Sequence, residues 1–345
     1  MSALPKPAPD VPQHETGGPI LEIADLHVAF PARHGVVPVV RGIDMVLDPG
    51  RVLVLLGESG SGKSVTLRAV AGLLGDEGAR VGGLVKVAGS DINAMSPAEL
   101  RTMRGNQIGF IFQEPMTALD PVFRVGEQIA ETIVRHRGTS WQEARARAKA
   151  LFDLVQIPSA ERRLQAYPFE LSGGLRQRAM IAMAMSCEPR LLLADEPTTA
   201  LDATVQIQIL LLLREIQKER GTAMIFVTHD LGVAAEIADD VAVMYAGRIV
   251  ERGPAEQVLL TPQHPYTKAL TRCVVRDSYR DAGLGELRGS PPDLAQLPPG
   301  CSFAPRCAER MDICETLDPA ERECQPRHKA ACLRVSNEFV ASAAV

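Results

Sequence analysis

The run Gly57-Glu58-Ser59-Gly60-Ser61-Gly62-Lys63-Ser64 fits the pattern G-x-x-x-x-G-K-[ST]. Glycines at that spacing let successive backbone N–H groups curve around phosphate oxygens, and a helix beginning at the lysine adds its N-terminal dipole. In such a loop Lys63 reaches the outer phosphates and Ser64 holds Mg²⁺. The competing reading is a Gly/Ser-rich turn whose lysine faces solvent. The flanks decide: "VLVLL" before it reads as a buried strand and "SVTLRAVAGLL" after it has helical periodicity. A second chemical signal is "LLLADEP", an apolar strand ending in Asp195 and Glu196. Buried carboxylates are costly unless they meet a cation or a proton donor. Asp195 suits a Mg²⁺ shell and Glu196 a water-polarising base, against the plainer reading of an acidic helix cap. His229 ends the strand "AMIFVTH", and Gln113 follows "IGFIF". Alone, either is an ordinary turn residue; beside a nucleotide, each is placed for the γ-phosphate and its attacking water.

The elements that must position these groups alternate. Strands are expected at "ILEIADLHVAF", "VVRGIDMVLDPG", "RVLVLLG", "RLLLAD" and "AMIFVTH", and a hairpin at "VAVMYAGRIVERG". Residues 80 to 112 read as short β-like runs. Helices are expected over 124 to 156, in "GGLRQRAMIAMAMSC" and in "TVQIQILLLLREIQKER", stopped by Gly221. Strands alternating with helices argue for an α/β core. The chain has 345 residues, 46% of them hydrophobic, which is enough for a sizeable core. A net charge of -5 argues against a general nucleic-acid coat. The Pro/Gly-rich start has no apolar core and is read as a disordered lead, not a secretory signal. No run approaches the length needed to cross a bilayer.

"LSGGLRQR", Leu171 to Arg178, completes the set. Lying between the Gln113 loop and "LLLADE", it resembles the signature of the ATPase subunits of ATP-binding cassette (ABC) transporters. "IFQEPMTALDP", "ADEPTTALDATVQ" and "HPYTKAL" (His264 to Leu270) are similar to the dipeptide/oligopeptide permease branch, whose nickel and glutathione relatives look alike. The resemblance covers roughly residues 20 to 335. It implies an α/β P-loop NTPase with a RecA-like core, an antiparallel β subdomain and a helical subdomain at about 115–185. The nucleotide-binding domain would span 20–270, after a lead at 1–19 and before a cysteine-rich extension at 271–345.

The same resemblance implies roles. Phe30 stacks on adenine, with His34 as its competitor. Gly57, Glu58, Ser59, Gly60, Ser61, Gly62, Lys63, Ser64 and Val65 hold the nucleotide, and Ser64, Gln113 and Asp195 hold Mg²⁺. Lys63, Gln113, Glu196 and His229 form the catalytic group. Ser172, Gly173, Gly174 and Gln177 meet ATP bound to an opposing subunit, and Asp202 links the two sites. The partners implied are a second, similar ATPase, two transmembrane permease subunits and an extracytoplasmic peptide-binding protein. The expected place is the cytoplasmic face of the membrane, and the expected activity is ATP hydrolysis driving di- or oligopeptide import. A soluble cassette protein acting on nucleic acid or ribosomes is the rival reading. Such proteins often fuse two cassettes or insert long coiled coils, and this sequence reads as one cassette with neither insertion. An iron–sulfur sensor merely regulated by ATP is disfavoured by an intact Glu196 and His229.

Five of the seven cysteines lie between Cys301 and Cys332. The spacing C-x5-C-x6-C-x9-C-x7-C contains no C-x2-C pair, so a zinc ribbon fits poorly. Four thiolates suit Zn²⁺ or an iron–sulfur cluster, and spacing does not separate them. The permease resemblance implies a [4Fe–4S] cluster on Cys301, Cys307, Cys314 and Cys332, with Cys324 as the alternative fourth ligand and zinc as the alternative metal. Such a group would staple a tail too short to build its own core. Its loss is expected to unfold the tail before nucleotide binding suffers.

Overall fold

A computed structural model describes residues 18–33, 35–75, 78–199, 201–277 and 289–335, with side chains of 273–277 excluded. Most of the lead at 1–19, His34 and two stretches of the C-terminal extension (278–288 and 336–345) therefore lie outside the described residues. In chain order the strands are β1 (Leu21–Ala32), β2 (Gly35–Leu47), β3 (Val52–Leu56), β4 (Arg80–Val87), β5 (Ser90–Asp91), β6 (Ile108–Ile111), β7 (Leu191–Asp195), β8 (Ala223–Thr228), β9 (Asp240–Tyr245), β10 (Arg248–Pro254), β11 (Arg322–Gln325) and β12 (His328–Ala330). The helices are α1 (Lys63–Val70), α2 (Pro97–Asn106), α3 (Pro115–Ala118), α4 (Val125–Arg137), α5 (Trp141–Leu154), α6 (Ala160–Leu164), α7 (Gly173–Ala184), α8 (Ala203–Arg220), α9 (Leu231–Ile237), α10 (Ala255–Leu260) and α11 (Pro265–Asp277).

The chain forms two compact units. One holds Val46–Arg51 and Lys86–Met224 with the chain up to Glu22; the other holds Ile23–Met45, Val52–Val85 and Ile225–Val345. In the second unit β3 runs parallel to β9, with Leu53 opposite Asp240 and Leu56 opposite Val243. All five residues of β3 are buried, as expected for a strand covered on both faces. β9 turns into β10 through Ala246 and Gly247, both at positive φ (48° and 81°). Two left-handed residues make the tight loop that matches hairpin twist. β10 then pairs antiparallel with β12, and β12 with β11. In this unit β1 lies between β2 and β4.

In the first unit β6 and β7 pair in parallel, from Ile108 opposite Leu191 to Ile111 opposite Ala194. Helices α3 to α7 follow β6 and precede β7. Two helices open on reciprocal capping boxes, Ser96 with Glu99 and Ser140 with Glu143. The first of these, α2, lies among the short β-like runs expected over residues 80 to 112 and was not foreseen there. "SPAE" is a helix-start signal that the neighbouring β-branched runs overrode. α8 starts at Asp202, whose carboxylate accepts from the Val205 N–H at 3.0 Å, and stops at Gly221 with φ 63°. Among the described residues no helix is long and apolar enough to cross a membrane.

Candidate active site

The second unit carries the phosphate loop. It leaves β3 at Gly57 and enters α1 at Lys63. Gly57 has φ 155°, and a Cβ there would strike the Met244 carbonyl on β9. Gly62 has φ 106°, and its Cβ would meet Met244 Cε at 2.7 Å and the Val39 carbonyl at 2.8 Å. These two positions therefore require glycine both for φ and for space. The β9–β10 turn braces the loop from outside: Gly247 N–H donates to the Ser61 carbonyl at 2.9 Å. Lys63 is 5% exposed, and its Nζ donates to the carbonyls of Gly57 (2.8 Å) and Glu58 (2.9 Å). Ser64 and Val65 are half-buried in the first turn of α1, while Ser59 and Gly60 are exposed. Phe30 is half-buried on β1, and His229 is exposed just past β8.

Glu58 is held three ways. Its carboxylate takes two hydrogen bonds from the Arg306 guanidinium, at 2.6 and 3.0 Å. Its N–H donates to the Tyr266 hydroxyl at 2.9 Å. Its carbonyl accepts from Lys63. Sequence reasoning missed Tyr266 and Arg306 as neighbours of this loop. "HPYTKAL" served only as a marker of the family branch, and Arg306 sat among cysteines that drew all the attention. Tyr266 is fully buried and packs its ring 4.6 Å from Tyr245 and 5.4 Å from Phe303.

The first unit carries the remaining groups. Gln113 is exposed after β6. Asp195, at the end of β7, is 5% exposed. Glu196 sits at φ 44°, a left-handed conformation rare for a residue with a side chain, and its Oε2 accepts from Thr199 Oγ1 at 2.9 Å. Strain of that kind concentrates at functional positions. Ser172 is the N-cap of α7 but makes no side-chain capping bond, and Gly173 would have open space around a Cβ. The start of α7 thus presents N–H groups and a hydroxyl outward, a ready anion site. Gly174 is tighter: a Cβ there would meet Val205 Cγ1 of α8 at 2.9 Å. Gln177, 2% exposed, lies on the buried face of α7.

The cysteines of the tail also lie in the second unit. Burial pushes the Cys301 thiol up to about 11, with the neighbouring Cys314 and Cys332 adding to the rise. Cys307 and Cys332 are raised for the same reason, and each also feels Cys314. Cys324 is raised by burial, with Glu251 and Cys332 adding to the rise. Among the described residues no group of three or more His, Cys, Asp or Glu side chains draws together as a set of metal ligands.

This geometry has counterparts. Residues 40–199 match the ABC transporter family, and residues 250–314 match the oligopeptide/dipeptide transporter C-terminal region. The chain is 46% identical over 321 residues to the oligopeptide transport ATP-binding protein OppD of Salmonella typhimurium, covering 93% of this chain and 95% of the relative. It is 45% identical over 314 residues to the dipeptide transport ATP-binding protein DppD of Bacillus subtilis, covering 91% and 94%. A solved ATP-binding cassette, described as a dimer in a post-hydrolysis state bound to ADP and Pi, superposes with a TM-score of 0.62 at 26% identity. The match covers 68% of this chain and 98% of that one. Fold and phosphate loop together define an ABC-type ATPase, with a RecA-like core and antiparallel and helical subdomains. Within that class, the chain belongs to the family of ATP-binding subunits of peptide and oligopeptide ABC transporters.

Proposed function

We infer that this chain hydrolyses ATP to energise the import of di- or oligopeptides through a membrane permease. The observation that carries this is the near-full-length identity to peptide-transport ATP-binding proteins, which continues through the C-terminal region and does not stop at the cassette.

In the chemistry proposed, the N–H groups of the phosphate loop and Lys63 bind the phosphates of ATP. Phosphate oxygens replace the Gly57 and Glu58 carbonyls as partners of Lys63. Ser64, Gln113 and Asp195 would hold Mg²⁺, which offsets phosphate charge. Glu196 polarises the attacking water, His229 fixes its geometry, and Phe30 stacks on adenine. Ser172, Gly173 and Gly174 grip the γ-phosphate of ATP bound to an opposing subunit, while Asp202 links the two sites. The outward start of α7 supports that role, as does the dimeric state of the similar cassette. The assembly proposed is a peripheral complex at the cytoplasmic face. It contains a second, homologous ATPase, two permease chains and an extracytoplasmic peptide-binding protein. A groove in the first unit, lined by Arg101, Asp120, Phe123, Glu131 and Arg135, suits a permease segment.

For the cysteine-rich extension, taken as 271–345, the proposed ligands of a [4Fe–4S] cluster are Cys301, Cys307, Cys314 and Cys332. Zinc is the alternative occupant. Cys314 acts on the thiols of Cys301, Cys307 and Cys332, which favours the set that contains all four. Thiolate donors are what such a cluster needs.

The test is reconstitution with the permease and binding-protein chains in vesicles. Labelled peptide should enter only with ATP. Glu196→Gln should cut hydrolysis and uptake by about 100-fold or more, the usual contribution of a general base, while ATP still binds. Parental turnover in that variant would remove Glu196 from the proposed role. Peptide entry independent of ATP would remove the function.

A further inference from the structure

The tail makes a bidentate polar contact with the phosphate loop. The Arg306 side chain is 5% exposed and forms a fork-to-fork pair with Glu58. Paired, bidentate and desolvated, it differs in kind from an exposed ion pair. For contrast, Arg310 pairs with Glu315 five residues on, with both side chains at least half exposed. Arg306 is itself held: its guanidinium lies 5.9 Å from the centre of the Tyr245 ring. Phe303, three residues earlier, stands edge-on to Tyr245 at 5.2 Å. Hydrogen bonding to Glu58 raises the Arg306 pKa, so the guanidinium stays charged.

We propose that Arg306 and Tyr266 are positioning residues for the phosphate loop, through which the C-terminal segment sets the affinity of the site for ATP. The physical route runs through one residue. Tyr266 takes the Glu58 N–H and Arg306 takes its carboxylate. The peptide planes on either side of Glu58 are thereby fixed, and with them the two carbonyls that hold Lys63. A loop fixed this way loses less freedom when phosphate binds, and preorganisation of that sort appears as affinity. Gln113, Glu196 and His229, the groups proposed to act at the attacking water, lie off this route, so the effect falls on ATP affinity before it falls on rate.

The inference rests on Gly57 to Ser64 being the ATP site. Lys63→Ala tests that reading separately, because it should abolish ATP binding whatever Arg306 does. In the full chain, assembled with its partners, Arg306→Ala should raise the KM for ATP about 10-fold while kcat changes less than about twofold. Arg306→Lys, a point charge without the fork, should fall between parent and Arg306→Ala. Glu58→Gln should match Arg306→Ala, and the double variant should be no worse than either single one, because both remove the same contact. Arg310→Ala should behave as the parent. Should Arg306→Ala fail to fold, Tyr266→Phe removes only the hydroxyl acceptor and should still raise KM about threefold. Additive effects in the double variant would overturn the proposal. So would an unchanged KM in Arg306→Ala and Tyr266→Phe, or losses confined to kcat.

Discussion

His264 shows how one side chain can set a pH response. It is fully buried, and its Nδ1 accepts from the Tyr266 N–H at 3.0 Å, which fixes it as a neutral ring. Burial lowers its pKa to about 4, from an ordinary 6.5. The unfolded chain therefore takes up a proton at this residue before the folded chain does. The contribution is complete above about pH 6.5 and is lost as pH falls towards 4. Two and a half units correspond to about 3 kcal/mol. In His264→Asn the stability gap to the parent should accordingly shrink by roughly 2–3 kcal/mol between pH 7 and pH 4.5, measured by urea unfolding. An equal gap at both pH values would refute the assignment. The residue scale was also where the sequence was most legible. Gly57, Gly62, Lys63, Asp195 and Glu196 announce themselves because phosphate chemistry tolerates few substitutes. Gln177 did not announce its burial, since a signature motif gives residue types but not which face of α7 each occupies.

Among the elements, β10 has the most demanding role. Glu251, at 0% exposed, accepts from the N–H groups of Gln263 (2.6 Å) and His264 (2.9 Å), and pairs with His328 Nε2 of β12 at 2.7 Å. One carboxylate therefore joins the hairpin, the start of α11 and the tail. Among the described residues the other ring nitrogen of His328 has no hydrogen-bond partner. Glu251→Ala leaves these donors stranded and should destabilise the protein by about 3–5 kcal/mol, read as a lowered urea midpoint. Limited proteolysis should then cut the tail first. A loss under 1 kcal/mol would mean that the tail is held elsewhere. The hairpin itself was visible in "VAVMYAGRIVERG", because alternation and an Ala-Gly turn are local signals. The pairing of β10 with β12 was not, since their partners lie some 79 positions apart, Glu251 with Ala330, in a segment dominated by cysteines and prolines. α2 was hidden for a different reason: its capping box is sound, but the helix is short and polar.

For the whole molecule, the tail was expected to be stapled by a metal group. Its described residues also carry paired strands, the aromatic packing of Phe303 and the Arg306–Glu58 pair. The proposed metal group would add to these contacts. Cys301→Ser should abolish bound iron and the broad visible absorbance of a cluster, while far-UV circular dichroism stays close to that of the parent. Colourless parent protein with stoichiometric zinc would replace iron–sulfur by zinc. Unchanged iron in the variant would show that the ligand set is wrong.

Capping β10 with β12 and β11 has a further result. Without those seven tail residues, β10 would offer an unshielded row of amide and carbonyl groups to any extended chain it met. The outermost strand that replaces it is four residues long and begins with Arg322 and Glu323, too brief and too charged to recruit a neighbour. The tail is thus a guard against self-association, and a chain cut before residue 289 would be expected to clump in solution even if its ATP site were intact.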